Sequence, residues 1–343
     1  MENFAEPLPE MTTENLLASP EEAIVYPPKY QKPDQPSNVW LKSVTSLALY
    51  LALGYYIFKR WEILLLITAI VMIHEFGHFF AMKYFGYKDL GIFFIPLLGA
   101  YVSGRKREVS QKQSAIILLA GPLPGIIIGS ILYLLEQNSP GLALFGIPFS
   151  KIALLFILLN LINLFPVYPL DGGQLLNRVF LDEESWLSKL FIFLSAGLMC
   201  WFAWSLYSSS GQPLYLTLLL FPLMMLFRLQ SDSKFKAVEK RMENENINAD
   251  VSYEELSDED YWKIRNILIQ EHPAFSDIEQ APPYEYNPKE EKIMTTIQSL
   301  LHRHLIKDVS VAGKIFIFLI WITAIASPWL LQMDMSFFRR FGF

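Results

Sequence analysis

Two histidines and a glutamate lie directly after a long apolar stretch, and this feature restricts most what the chain can fold into. Residues 64–73 are apolar except for one threonine, and the pattern His-Glu-x-x-His follows at His74, Glu75 and His78. On a helix, residues four apart lie on one face, so both imidazoles can bind one metal ion. Ionisable side chains at membrane depth are costly and usually functional. The pattern therefore predicts a metal site inside a membrane helix, with the glutamate placed as a base for a bound water.

The composition indicates a protein with several membrane spans. Hydrophobic residues make up 52% of the 343 residues and charged residues 18%, whereas an ordinary soluble domain has about 25% charged residues. Seven apolar spans approach the roughly 20 residues that cross a bilayer, at 43–58, 61–85, 114–135, 151–168, 187–207, 213–229 and 312–331. The predicted fold is a mostly α-helical membrane protein, a polytopic bundle of about seven transmembrane helices. A formal net charge of −6 gives no indication of nucleic-acid binding.

The spans divide the chain into four predicted parts. Residues 1–40 are polar and proline-rich, which predicts a disordered N-terminal tail without a cleavable signal peptide. Residues 41–229 contain six spans and form the predicted transmembrane region. Residues 230–311 form a polar segment, and 312–343 contain the last transmembrane helix and a C-terminal tail.

Two smaller features lie outside the spans. Aromatic and β-branched residues between glycines in 91–104 predict the two short strands of a membrane-associated β-hairpin. In the polar segment, Ser257 followed by three acidic residues predicts the start of one helix. Apolar residues spaced along 293–301 predict a second helix. The polar segment is therefore expected to be small and helical, with a solvated acidic face.

The distribution of basic residues predicts the orientation, because lysine and arginine are enriched in cytoplasmic loops. The end of the second span and the stretch after it contain Lys83, Lys88, Arg105, Lys106, Arg107 and Lys112, and the loops at 136–150 and 207–213 contain none. Residues 87–113 are therefore predicted to face the cytoplasm, as are the N-terminus and residues 230–311. Lys59 and Arg60 depart from this rule. A compact multi-pass chain without a targeting signal favours the bacterial inner membrane.

The predicted metal site needs a third ligand, because catalytic zinc sites use three protein ligands. Asp171 follows the span at 151–168, after prolines that break the helix. It is predicted at the cytoplasmic end of an inward-running span, at the same depth as the histidine pair. Glu62 and Glu136 at the ends of other spans are alternatives. An aspartate before two glycines can also be a turn residue without any metal.

Three stretches of the chain resemble the site-2 protease family of intramembrane zinc metalloproteases. Residues 74–78 are similar to the zinc-binding helix of that family. Residues 163–173 are similar to its second signature, an asparagine followed by prolines and Leu-Asp-Gly, and Ala-Gly-Pro at 120–122 is similar to its third core helix. The resemblance covers roughly residues 61–180. The chain shows no resemblance to the PDZ insert or the CBS domains of other members, so the basis of substrate choice is not predicted.

The resemblance implies an enzyme that hydrolyses peptide bonds within or near the transmembrane segments of membrane-anchored protein substrates. It implies one zinc ion per chain, bound by His74, His78 and Asp171. Glu75 would activate water, and Asn163 would hold the substrate backbone or the oxyanion.

Two other classes of function compete with this interpretation. A metal- or ion-handling transporter would distribute acidic and histidine residues over several spans, whereas this chain gathers them at one depth. A catalytically inactive membrane scaffold would have no need for Glu75. Asn163 can instead bridge neighbouring helices, and a structural role is the favoured interpretation for Asn160.

Overall fold

The computed structural model describes residues 26–31, 38–96, 99–106, 109–181, 185–249, 251–301 and 305–333. These residues form a mostly helical protein with two small two-stranded sheets. Four helical segments are long and apolar enough to cross a membrane, namely Trp61–Tyr84, Gln111–Asn138, Trp186–Ser210 and Val311–Leu330. The chain is therefore an integral membrane protein, as the sequence predicted.

Eleven α-helices follow one another along the described part of the chain. They are α1 (Val39–Phe58), α2 (Trp61–Tyr84), α3 (Gln111–Ala120), α4 (Pro122–Asn138), α5 (Phe149–Leu164), α6 (Asp171–Leu175), α7 (Trp186–Ser210), α8 (Leu220–Asn244), α9 (Asp258–Glu271), α10 (Glu290–Leu301) and α11 (Val311–Leu330). A π-helix, Leu176–Leu181, follows α6, and a 3-10 helix, Pro213–Leu219, precedes α8.

Each of the seven predicted spans coincides with helical structure, but three are not among the four long apolar helices. Helix α5 and the apolar helical stretch Pro213–Phe227 are shorter than a full span. Helix α1 has 20 residues, and its first turns contain the polar residues Lys42, Thr45 and Ser46. The count of about seven transmembrane helices stays a prediction.

The predicted hairpin is present. Strands β1 (Lys88–Ile95) and β2 (Gly99–Arg105) pair antiparallel, and a register irregularity lies near the start of β1. Helix α1 packs along β1, where the Phe94 N–H donates to Oγ of Ser46 at 3.1 Å and the Tyr50 ring contacts the Phe94 ring. A second, very short hairpin, which the sequence did not predict, pairs β3 (Ala143–Leu144) with β4 (Ile147–Pro148).

Helices α3, α4, α5, α6 and α11 share one apolar core that supports the candidate site. Leu164 at the end of α5 and Leu175 in α6 are fully buried there, together with Trp321 of α11. The Trp321 Nε1–H donates to the Leu164 carbonyl at 2.8 Å. Close packing and such interhelical hydrogen bonds hold helices together in a membrane. This core fixes the position of the turn between α5 and α6.

The polar segment folds around a second core. The end of α8 packs with α9 and α10 through buried residues that include Met242, Ile264, Leu268, Ile293 and Ile297. Both predicted helices are present. Ser257 caps α9 by accepting the N–H of Asp260 on its side chain.

A buried ion pair joins α9 to α10 in this core. The Arg265 Nε donates to a Glu290 carboxylate oxygen at 2.8 Å, and the two side chains are 2% and 1% exposed. Tyr261 donates its hydroxyl to the same carboxylate. Burial and this hydrogen bond raise the pKa of Tyr261 well above its usual range, so the phenol stays a donor. The arrangement satisfies both charges and specifies how the two helices meet.

The predicted division of the chain stays a prediction, although two observations bear on it. Helix α8 runs without interruption across the predicted boundary at residue 230. Within the predicted N-terminal tail, residues 26–31 form neither helix nor strand and pack against the polar segment, which the sequence did not predict. Residues 1–25 and 32–37 of that tail, and residues 334–343 of the C-terminal tail, lie outside the described part of the chain.

Candidate metal centre

Helix α2 presents three of the predicted site residues to the interior of the protein. His74, Glu75 and His78 are 7%, 5% and 9% exposed, and all three line one cavity. The histidines are about one helical turn apart, so both Nε2 atoms point into the same space, 3.1 Å from each other. The helix thus brings together the pair that the sequence pattern predicted.

Two glycines let the neighbouring helices approach α2 at this turn. A methyl group at Gly77 would lie 1.9 Å from the carbonyl oxygen of Ala120. A methyl group at Gly121 would lie 2.3 Å from Nε2 of His78. Because the side chain of glycine is only a hydrogen atom, these two positions allow α2 to contact the junction of α3 and α4. The backbone at Gly121 covers one face of the His78 ring.

The orientation of each imidazole is fixed by a hydrogen bond at its Nδ1 atom. The His78 Nδ1 lies 2.8 Å from the carbonyl oxygen of Ile117 in α3. The His74 Nδ1 lies 2.8 Å from Oδ1 of Asn160 in α5, and the Asn160 Nδ2 donates to the carbonyl of Phe156. Both partner oxygens can only accept, so both Nδ1 atoms carry the hydrogen. Each Nε2 therefore has a free lone pair directed at the same point.

Asp171 completes the group from the start of α6. Its Oδ2 lies 3.1 Å from the His74 Nε2 and 3.3 Å from the His78 Nε2. The chain turns back sharply here, because a methyl group at Gly172 would lie 1.9 Å from the carbonyl oxygen of Leu164. The two glycines after the aspartate thus let α6 begin against the end of α5.

The three ligand atoms fit a divalent cation such as zinc. Each of them offers a lone pair, and within the described residues Asp171 Oδ2 is buried without a hydrogen-bond donor. Three acceptors this close together repel one another unless a cation lies between them. Ligands about 2.0–2.1 Å from a tetrahedral zinc ion would lie about 3.3 Å from each other. The observed separations of 3.1–3.3 Å agree with that geometry.

The cavity that contains these residues is large enough to admit a peptide backbone. It has a volume of about 650 Å³ and is also lined by Asn163, by residues of β2, and by Lys106 and Arg178. Asn163 lies one turn from Asn160, and its Nδ2 donates to the Leu159 carbonyl at 3.2 Å. The structure therefore brings Asn163 to the cavity without bringing it into the group of ligand atoms.

Comparison with known families identifies the surrounding fold. Residues 62–145 match the model described as Peptidase family M50. The chain carries a peptidase family M50 domain. The predicted resemblance to the site-2 protease family is thereby confirmed for residues 62–145, and a domain of this family implies zinc as the metal. The matched stretch contains His74, Glu75 and His78 and ends before Asp171.

Curated relatives of the M50 domain match a limited part of the chain. Zinc metalloprotease MJ0392 of Methanocaldococcus jannaschii is 28% identical over 139 residues, which are 40% of this chain and 40% of that protein. Stage IV sporulation protein FB of Bacillus subtilis is 31% identical over 121 residues, which are 34% of this chain and 40% of that protein. The chain thus spans about two-fifths of the length of these relatives. The solved site-2 protease from Methanocaldococcus jannaschii aligns over 55% of this chain and 85% of its own, with 24% identity and a TM-score of 0.38.

The sequence did not predict the hydrogen bond between Asn160 and the His74 ring. Asn160 is 1% exposed, and it orients His74 while packing against Gly125, where a methyl group would lie 2.1 Å from its Nδ2. Partners of this kind hold a ligating imidazole in the correct tautomer and orientation. Asn160 and Asn163 are both asparagines near the end of one apolar span, and only the three-dimensional arrangement distinguishes them.

Replacing Asn160 with leucine is expected to weaken zinc binding about 10- to 100-fold, the usual effect of removing such a partner. Asn160→Asp keeps an acceptor for the Nδ1–H and should retain most of the affinity. Competition with a zinc chelator measures the affinity in purified protein. Asn163→Leu is the matched control on the same helix and should leave zinc affinity unchanged. Equal affinities for Asn160→Leu and the control would show that Asn160 does not position the ligand.

Proposed function

We propose that this chain is an intramembrane zinc metalloprotease that hydrolyses peptide bonds within or near the transmembrane segments of membrane-anchored proteins. The observation that carries the proposal is the convergence of three lone-pair atoms, from His74, His78 and Asp171, beside the buried carboxylate of Glu75. This combination is the ligand set and base that metal-assisted hydrolysis requires. One zinc ion per chain is part of the proposal.

The roles of the site residues follow from their positions. Zinc bound by the three ligands would lower the pKa of a bound water toward about 7 and polarise the scissile carbonyl. Glu75 accepts a proton from the attacking water and returns it to the leaving amine. Asn163 donates the Nδ2 hydrogen that does not bond the Leu159 carbonyl to the substrate carbonyl or backbone from the cavity wall. Asn160 and the Ile117 carbonyl keep both imidazoles aligned throughout.

The proposed orientation places the entrance of the cavity at the cytoplasmic face. Lys106 and Arg178 line the cavity, and basic residues are enriched on the cytoplasmic side of membrane proteins. We further propose that residues 41–229 form the catalytic membrane region of a bacterial inner-membrane protein, and that the N-terminus and residues 230–311 lie in the cytoplasm.

The hairpin offers an open strand edge to a substrate. The Phe94 N–H bonds Ser46 and therefore points away from β2. Phe94 is paired with Ala100, and Ile92 is paired with Val102. Because pairs alternate along an antiparallel ladder, the N–H and C=O groups of Ala100 and Val102 also point away from the partner strand.

Both residues line the cavity, and no third strand pairs with β2 in the described part of the chain. A helical substrate hides its amide groups in internal hydrogen bonds, so it must be extended before cleavage. Strand addition to β2 would hold it in that form.

Val102→Pro tests this strand-addition step. Proline is tolerated on an edge strand where the N–H faces outward, so the hairpin should survive while one donor to the substrate is lost. A net hydrogen-bond contribution of about 0.5–1.5 kcal/mol corresponds to a roughly 2- to 12-fold fall in kcat/KM. Val102→Ala keeps the N–H and is the control. If both variants cleave alike, with normal zinc content, the substrate does not add to this edge.

The function itself is tested by metal analysis together with a search for substrates. Elemental analysis of purified protein should find about one zinc per chain, and removal of the zinc should abolish cleavage until zinc is restored. Proteomics of membrane fragments should then compare cells that carry the wild type with cells that carry Glu75→Gln. Fragments cut inside transmembrane segments should appear only with the wild type. Absence of stoichiometric metal, or identical fragments in both strains, would refute the proposal.

A further inference from the structure

Residues 26–31, with the sequence Tyr-Pro-Pro-Lys-Tyr-Gln, occupy an aromatic groove on the polar segment. The groove is formed by the side chains of Tyr253, Trp262, Tyr284 and Tyr286. The rings of Trp262 and Tyr286 are stacked at 5.8 Å with an interplanar angle of 12°, and Tyr284 meets Trp262 edge-on at 5.2 Å.

The groove binds the backbone of this segment through the polar ends of its rings. The Trp262 Nε1–H donates to the carbonyl of Pro27 at 2.9 Å. The Tyr253 hydroxyl donates to the carbonyl of Tyr30 at 2.6 Å, and the Tyr286 hydroxyl donates to the carbonyl of Pro28. Carbonyl groups inside a helix accept N–H groups of the same helix, so these three carbonyls are available because the segment is not helical. The groove therefore binds a non-helical backbone.

Side chains of the segment add sequence preference. The Lys29 Nζ donates to the carbonyls of Glu254 and Leu256 at 2.8 and 2.5 Å, and the Lys29 N–H donates to Asp258 Oδ1 at 2.8 Å. The two tyrosines of the segment contact groove rings edge-on, with Tyr26 against Tyr284 and Tyr30 against Tyr286. The groove thus contacts the side chains of two aromatic residues and a lysine, and between the first tyrosine and the lysine it binds the carbonyls of two prolines.

The groove is held in shape by contacts inside the polar segment. The guanidinium of Arg265 lies 5.1 Å from the centre of the Trp262 ring. Arg265 is in turn fixed by its ion pair with Glu290. A site whose rings are already positioned loses little conformational entropy when a ligand binds. Proline restricts itself and the preceding residue to extended conformations, so such a ligand is also preorganised.

We propose that this groove is a binding site for proline-containing peptides, and that residues 26–31 are its ligand in cis. Aromatic grooves with hydroxyl and indole donors are a general means of recognising extended proline-rich segments. The segment precedes α1, whereas the groove lies between α8 and α11 in sequence. The contact therefore links the N-terminal end of the membrane region to the polar segment, and a free peptide of the same chemistry would compete for it.

Peptide binding to the full-length protein tests the proposal. The probe is a fluorescent peptide with the sequence of residues 24–33, added to wild-type protein and to a variant with Pro27→Gly, Pro28→Gly and Lys29→Ala. Tethered ligands act at effective concentrations in the millimolar range, so the variant should bind the probe at least about tenfold more tightly than the wild type. Adding Tyr286→Ala, a change at a half-exposed ring, should weaken that binding about tenfold. A peptide with both prolines replaced by glycine is the control.

Equal probe affinity in wild type and variant would overturn occupancy in cis, and absence of binding to a folded variant would overturn the site. A second measurement uses only wild-type protein, in case the variant does not fold. Trypsin should cut slowly after Lys29, and an excess of the unlabelled peptide should accelerate the cut. Rapid cutting without peptide, or no effect of peptide, contradicts the proposal. A dimer that the peptide converts to a monomer would show exchange of the segment between copies and would refute binding in cis.

Discussion

Replacement of Glu75 with glutamine is expected to lower the cleavage rate about 10²- to 10⁴-fold, the usual contribution of a general base, while zinc stays bound. Glutamine has nearly the same shape but cannot accept the proton of the attacking water. The three proposed ligand atoms are on His74, His78 and Asp171, so the metal site should be unchanged. Single-turnover cleavage of a membrane-anchored substrate, together with elemental analysis of the same preparation, measures both quantities.

This variant also separates the protease from its competitors. A transporter of metal ions would keep its transport or binding activity when a base is lost. A membrane scaffold would show the same cellular phenotype with and without the Glu75→Gln change. Full cleavage activity in the Glu75→Gln protein would rule out Glu75 as the base, whereas loss of both zinc and activity would indicate a role in metal binding instead.

Replacement of Gly121 with alanine is expected to cost about 10²-fold or more in cleavage and to weaken zinc binding. The added methyl group would lie 2.3 Å from the His78 Nε2, about 1 Å closer than an ordinary contact. The ring must move away, and a displacement of about 1 Å in a reacting group can cost about 10²-fold in rate. Moving the ring also strains its Nδ1 hydrogen bond to Ile117. Zinc affinity and kcat/KM are the measurements.

A matched glycine-to-alanine change is available elsewhere in the membrane region. A methyl group at Gly197 in α7 would meet no described atom within 4 Å. Gly197→Ala should therefore preserve zinc affinity and activity, and alanine favours a helix relative to glycine by about 1 kcal/mol. If Gly121→Ala behaves like Gly197→Ala, the close approach of α3 and α4 to His78 does not control the metal site.

The sequence was informative where chemistry depends on local spacing. His74 and His78 face the same way because of helical periodicity alone. The hairpin strands and the helix that begins after Ser257 were likewise predicted from short-range patterns of residues. The meeting of Asp171 with the histidines could be anticipated from the direction of the spans and the family resemblance, but its distances depend on Gly172 fitting against the end of α5.

The features that the sequence left undetermined depend on contacts between distant residues. Asn160 contacts the His74 ring and Asn163 does not. The two residues have the same hydropathy, so the sequence pattern does not distinguish them. Helix α8 continues to Asn244 beyond the apolar span, because hydropathy reports exposure to lipid and not backbone hydrogen bonding. The docking of residues 26–31 joins parts of the chain more than 220 residues apart, which no local periodicity can reveal.

The two imidazoles differ in how sensitive their Nδ1 hydrogen bonds are to mutation of the partner residue. The partner of the His78 Nδ1 is a main-chain carbonyl, that of residue 117, and every residue type supplies this group. The partner of the His74 Nδ1 is the side chain of Asn160, which a single nucleotide change can remove. In a saturation library, codon 117 should therefore accept many apolar replacements while codon 160 accepts few, so of these two partner positions the inactivating alleles should accumulate at codon 160.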